Sequence, residues 1–143
     1  GRRISKADAP AHVFGWCVGN DATERAWQHR THQWTLGKSF DTHGPIGPWI
    51  TMDEDIVDPQ NLSIKAFVNG DLRQNSSTAD MIYSIADQIS YISQVFTLMP
   101  GDVLLTGTPS GTGIETDTYL KAGDVVRVEI ADLGHIENTV RAE

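Results

Sequence analysis

Three side chains within one short stretch could do chemistry together. In GNDATERAWQ, residues 19–28, Asp21 stands ahead of Arg25 and Gln28. A carboxylate, a guanidinium and an amide that converge can hold a small anion beside a metal ion. The same stretch has a second reading. Asp21 with Glu24 three residues later has the spacing of a helix N-cap and its capping box. Local spacing leaves both readings open.

Two further stretches carry reactive types. In GKSFDTHGPIGPW, residues 37–49, Lys38 lies among small and apolar residues. A lysine partly buried there needs a carboxylate partner or loses its charge. A surface lysine beside a proline turn is the alternative, of equal weight. In TGTPSGTG, residues 106–113, three glycines permit close backbone approach and four hydroxyls line the turn. Successive N–H groups in such a turn can form a nest for an oxyanion. No Lys-Ser/Thr ending completes a P-loop and no helix pattern follows, which argues against a nucleoside triphosphate. A tight turn between strands is the plainer reading. The acidic run Asp53, Glu54, Asp55 and Asp58 lacks the spacing of an EF-hand and reads as a solvated loop. The histidines show no HExxH spacing, and no GxSxG elbow is present.

These residues need elements to place them. Ser5 and Asp8 suggest a short helical turn. HVFGWCVGN reads as a buried strand running into Asp21. A helical turn or two should cover Thr23 to His29. Pro45, Gly47 and Pro48 predict a stiff, irregular loop. Ile64, Ala66 and Val68 alternate with Lys65 and Phe67 before Asn69-Gly70, which predicts a hairpin of residues 62–68 and 71–75. Ile82, Ile85, Ile89, Ile92 and Phe96 recur at steps of three and four. They predict one long helix from Thr78 to Leu98 whose stripe packs on a sheet. PGDVLLTG and AGDVVRVEI each predict a turn followed by a β-branched strand.

The whole chain sets bounds. It has 143 residues, enough for one domain, and 39% hydrophobic residues, enough for a core. Eleven basic against 19 acidic residues give a net charge of −8. That charge argues against nucleic acid and against anionic membranes as partners. No apolar run is long enough to span a bilayer. The single Cys17 excludes an internal disulfide and a Cys-based zinc site. It fits a reducing setting: the cytoplasm, or the mitochondrial matrix in a eukaryote.

Taken in order, NDATERAWQ, GKSFDTHGPIGPW, VNGDLRQNSSTADMIY and LMPGDVLLTGTPSGTG resemble the fumarylacetoacetate hydrolase family, over nearly the whole chain. Details are closest to its small domain-containing members. One departure is Ala26, where the family usually has an acidic residue. The resemblance implies an α+β, β-rich fold, a mixed β-roll with one long helix, and a homodimer. It implies a divalent cation, Mg²⁺ with Mn²⁺ or Ca²⁺ as variants, held by a Glu-x-Glu pair and one Asp. That Asp matches Asp21. Arg25, Gln28 and Thr108 match substrate-binding positions, Lys38 a catalytic one, and Thr42 lies in the shell around them. The implied substrate is a small anionic 2-oxo acid or acylpyruvate. The implied reaction is C–C hydrolysis or decarboxylation through an enolate, or keto–enol tautomerisation.

No Glu-x-Glu occurs, since no two glutamates stand two residues apart. Residues 1–143 therefore read as one catalytic domain without its lid and its Glu-x-Glu strand. Three functions follow for comparison: a metal-dependent enzyme, a truncated and inactive binding or dimerisation domain, and an anion-binding module that uses the glycine-rich loop.

Overall fold

Six strands form two antiparallel sheets in the computed structural model, which describes residues 1–142. β1 (Gly15–Gly19) pairs with β2 (Ile46–Met52). β3 (Ser63–Val68), β4 (Asp71–Ser77), β5 (Val125–Ile130) and β6 (Gly134–Thr139) form the second sheet in the order β4-β3-β5-β6. The predicted hairpin is β3–β4. Asn69 and Gly70 take φ values of +53° and +86°, the left-handed pair that a type I′ turn requires. The alternation read in AGDVVRVEI becomes β5, whose Val128 is buried.

The two sheets share one core. Val18 of β1 packs with Ala66 of β3, Val128 of β5 and Ile136 of β6, with Ile56, Leu62 and Leu133 around them. Apolar burial at these positions supplies the main force that joins the sheets. The fold is α+β and sheet-rich, as expected.

The predicted long helix is shorter than its stripe. Residues Thr78–Asp80 make a 3-10 turn, as do Ala9–His12 and Asp53–Asp55, the last within the acidic run expected as a loop, and the described residues also form four α-helices: α1 (Arg25–Gln28), α2 (Thr35–Lys38), α3 (Ile85–Val95) and α4 (Gly113–Thr116). Two capping boxes in series explain the break. Ser77 and Asp80 cap the 3-10 turn, and Ser84 and Asp87 cap α3. Each Ser-x-x-Asp satisfies its own set of free N–H groups, so two starts replace one. Ile82 falls between them and is 91% exposed. The stripe does not pack on a sheet. Ile89 is buried against Ile4 and Ala9 of the N-terminal segment, with Val13, Ile85, Ala86 and Leu98 beside them. Ser93 fastens that segment, because its Oγ accepts from the Ile4 N–H at 3.0 Å.

Three other local expectations change. Residues 46–52 are a strand rather than an irregular loop, but the ladder breaks there. Trp16 pairs with Thr51 and Val18 with Gly47, so Pro48 to Ile50 lie in the interruption. That is where a sheet tolerates proline. Of β1, only Val18 is buried. Val103 to Leu105 form no ladder, and all three are exposed. A strand needs a partner for its N–H and C=O groups, and none is present among the described residues. No helix among them is long and apolar enough to cross a membrane.

Candidate active site

Asp21 does not cap the helix that follows it. Glu24 is the N-cap of α1, its carboxylate accepting from the Ala26 N–H at 3.0 Å. That leaves the Asp21 carboxylate free for another partner, and Lys38 donates to it from Nζ. The pair is partly shielded, with Lys38 31% and Asp21 39% exposed in their side chains. The two residues are 17 apart in sequence, so the contact is made by folding and not by local spacing.

The positioning of Lys38 follows from how α1 meets α2. The Glu24 N–H donates to the Gly37 carbonyl at 2.8 Å. A β-carbon on Gly37 would lie 2.6 Å from the Gln28 nitrogen. Only a residue without one lets the two backbones approach this closely. Gln28 is buried beneath this contact, and its Oε1 accepts from Arg25 Nη1 at 2.7 Å. So the structure brings Asp21, in the segment before α1, to Lys38 at the end of α2, and joins Arg25 to Gln28 within α1. Trp27 meets Phe40 edge-on at 5.8 Å, and Arg30 stacks over Trp27 at 3.8 Å, which braces the outer side of the same pair of turns.

The other motifs reach this place through the end of β1. The Asn20 N–H donates to the Pro45 carbonyl at 3.0 Å, which ties Asp21 to the proline turn. A β-carbon on Gly19 would lie 2.9 Å from Leu105 Cδ2, so the segment leading to Thr108 runs against the same strand end. Thr42 is exposed in the turn after Lys38, with φ of +70°. Among the described residues its side chain makes no hydrogen bond to Asp21 or Lys38.

Thr108 is held by a residue that the sequence did not single out. Gln74 Nε2 on β4 donates to Thr108 Oγ1 at 2.9 Å and to the Pro109 carbonyl at 2.6 Å. The nest expected in TGTPSGTG exists, but its own chain fills it. Glu115 Oε2 accepts from the Gly111 N–H at 2.8 Å, the Thr112 N–H at 2.9 Å and the Thr112 hydroxyl at 2.9 Å. The Thr112 donors first, and then Gly111, hold the Glu115 carboxyl below its ordinary range. Those N–H groups are therefore committed to a capping box at α4, a helix that was not expected after the loop. Thr112-x-x-Glu115 was the signal that could have shown it. Gln74 had none, because its partner lies 34 residues away.

A divalent cation makes its own demand on the donor set. Such an ion wants about six oxygens, several of them from carboxylates. Among the described residues no three His, Cys, Asp or Glu side chains converge as ligands. Asp21 is one carboxylate, and Lys38 is already on it. These residues alone do not fit a Mg²⁺, Mn²⁺ or Ca²⁺ centre.

Known proteins resemble this chain over about half their length. The mitochondrial oxaloacetate tautomerase fahd2 of Xenopus laevis is 48% identical over 144 residues, which cover 98% of this chain and 45% of that protein. The solved fumarylacetoacetate hydrolase of psychrophilic Exiguobacterium antarcticum superposes with a TM-score of 0.94 at 39% identity, over 100% of this chain and 52% of that one. The maleylpyruvate hydrolase of Sphingobium sp. SYK-6, solved in complex with manganese(II) ion and pyruvate, superposes with a TM-score of 0.87 at 36% identity, over 98% and 48%. The chain thus spans about half the length of the curated relatives it matches. Residues 1–141 match the model of the fumarylacetoacetate (FAA) hydrolase C-terminal family, and the chain belongs to that family.

Proposed function

We propose that the protein is an enzyme acting on a small anionic 2-oxo acid or acylpyruvate-like β-diketo acid, by C–C hydrolysis or decarboxylation. The observation that carries this reading is the Asp21–Lys38 pair, set beside Arg25 and Gln28 by the α1–α2 contact. Each group has a role that follows from its chemistry. Lys38 brings a cation to the place where enolate charge develops when a bond next to the keto group breaks. Asp21 holds the Lys38 ammonium in position. Arg25 and Gln28 offer N–H donors to a carboxylate, which suits bidentate recognition. Thr108 binds a substrate oxygen. Thr42 shapes the turn that follows Lys38 through its backbone.

Keto–enol tautomerisation of an oxaloacetate-type acid is the second reading, and the similarity to a named oxaloacetate tautomerase favours it. The same cation beside a forming enolate serves that reaction too. We extend the proposal to a divalent cation at Asp21, Mg²⁺ before Mn²⁺ or Ca²⁺, supported by the manganese-containing relative. Asp21 would be one of its ligands, although no three such side chains converge among the described residues. The proposal also takes residues 1–143 as part of one catalytic domain, a homodimer as the assembly, and the cytoplasm or mitochondrial matrix as the compartment. Relatives named as mitochondrial support the mitochondrial alternative.

Lys38→Met tests the chemistry. It removes the charge and keeps most of the side-chain length. The expected result is a kcat on oxaloacetate or an acylpyruvate lower by about 100-fold, with the fold retained. An unchanged kcat would overturn the role of Lys38.

A further inference from the structure

The link between β4 and the glycine-rich loop does more than close a turn. Ala66 of β3 faces Gln74 and Phe67 faces Leu72, so Arg73 is an extra residue, a bulge on β4. A bulge re-aims the side chains next to it. The loop backbone at Gly111 packs directly against the Arg73 carbonyl. A β-carbon on Gly111 would lie 2.1 Å from that oxygen, and Gly111 has φ of +103°. No other residue type fits there. With the loop seated so close, Gln74 reaches both Thr108 and Pro109.

The orientation of the Gln74 amide is settled by chemistry. The Pro109 carbonyl can only accept, so the nitrogen of the amide must face it. The second N–H of the same nitrogen then points to Thr108 Oγ1, which accepts. A hydroxyl that accepts still has one proton to donate. Its return contact to Gln74 Oε1 spans 3.4 Å, well beyond a good O–H···O distance. The Thr108 proton is therefore only loosely held within the protein.

We propose that Gln74 is a positioning residue that makes the Thr108 hydroxyl a hydrogen-bond donor to the substrate carboxylate. By accepting from Gln74, Thr108 Oγ1 presents its proton outward, where an anion and not a neutral donor is favoured. This rests on the assignment of Thr108 to the substrate and adds the residue that sets its polarity. Because donor and acceptor are fixed, the loop discriminates in favour of an oxyanion over a hydroxyl or amine at the same point.

A double-mutant cycle on pyruvate binding, by calorimetry with Mn²⁺ present throughout, separates the two claims. Thr108→Val should weaken pyruvate about 10-fold or more, since a hydrogen bond to a charged group is lost. Gln74→Met should weaken it about 5- to 10-fold in the parent protein and not at all in the Thr108→Val background. Thr108→Ser, which keeps the hydroxyl, should restore both the affinity and its dependence on Gln74. The kcat on oxaloacetate should change far less than KM in Gln74→Met. If Thr108→Val leaves pyruvate binding intact, the assignment of Thr108 fails, and this inference with it. If Thr108→Val weakens binding but Gln74→Met is silent, or acts equally in both backgrounds, only the role of Gln74 is overturned.

Discussion

Arg25 shows how one residue can be both anchored and available. Its Nη1 donates to Gln28 Oε1 at 2.7 Å, and Gln28 is itself buried under Gly37. The guanidinium has five N–H donors, so this bond fixes its direction and leaves others for a ligand. A group that binds the non-reacting end of a substrate acts equally in the ground and transition states. Arg25→Met should therefore raise KM by roughly 10- to 100-fold and leave kcat nearly unchanged. Steady-state kinetics on oxaloacetate checks this, and an unaltered KM would contradict it. At this scale the sequence was informative about types and silent about partners. Asp21, Lys38, Arg25 and Gln28 were legible as reactive groups. Their pairing was not, because Lys38 reaches Asp21 across 17 residues and Glu24 takes the capping role that spacing had offered to Asp21.

Capping decides the elements more than apolar periodicity does. Asp87 illustrates it at the start of α3, where its carboxylate accepts from the Ser84 N–H at 3.1 Å and pairs with Lys6 of the N-terminal segment. The Lys6 contact first, and Ser84 with it, lower the Asp87 carboxyl from its ordinary 3.8 to about 2. A carboxyl lowered in the folded state stabilises the fold above the unfolded value and ceases to do so as pH falls through the folded one. The stability difference between the parent protein and Asp87→Asn should be constant above about pH 4 and shrink as pH falls towards about 2. Thermal unfolding of both proteins between pH 6 and pH 2, a range of about four units, would show it. A difference that does not change with pH would contradict the role of Asp87. The hairpin at Asn69-Gly70 and the strand β5 were readable because turn chemistry and period-2 patterning are local. The break in the predicted helix was also written locally, in Ser84-x-x-Asp87, but the isoleucine stripe masked it. The unpaired Val103–Leu105 was not readable at all, since strand formation depends on a partner that patterning does not reveal.

Across the described residues, many large apolar side chains are exposed. Trp49 and Ile50 of β2, Tyr91 and Val95 of α3, and Val103 to Leu105 are all exposed. Surfaces of this kind mark places that another surface covers. The relatives are about twice as long, and the family assignment extends over residues 1–141. The described residues set the Asp21–Lys38 pair and the Arg25–Gln28 pair just past the end of β1, where Gly19 meets Leu105 of the segment that leads to the Thr108 loop.

Asp21→Asn tests the account most directly. Asn keeps the shape and can still accept from Lys38, but it removes the negative charge. The cap of α1 is Glu24, so the helix does not depend on this change. The account predicts turnover of oxaloacetate or an acylpyruvate lower by about 100-fold or more, with an unchanged thermal midpoint. A variant that turns over at the parent rate would contradict the placing of the reactive centre at Asp21.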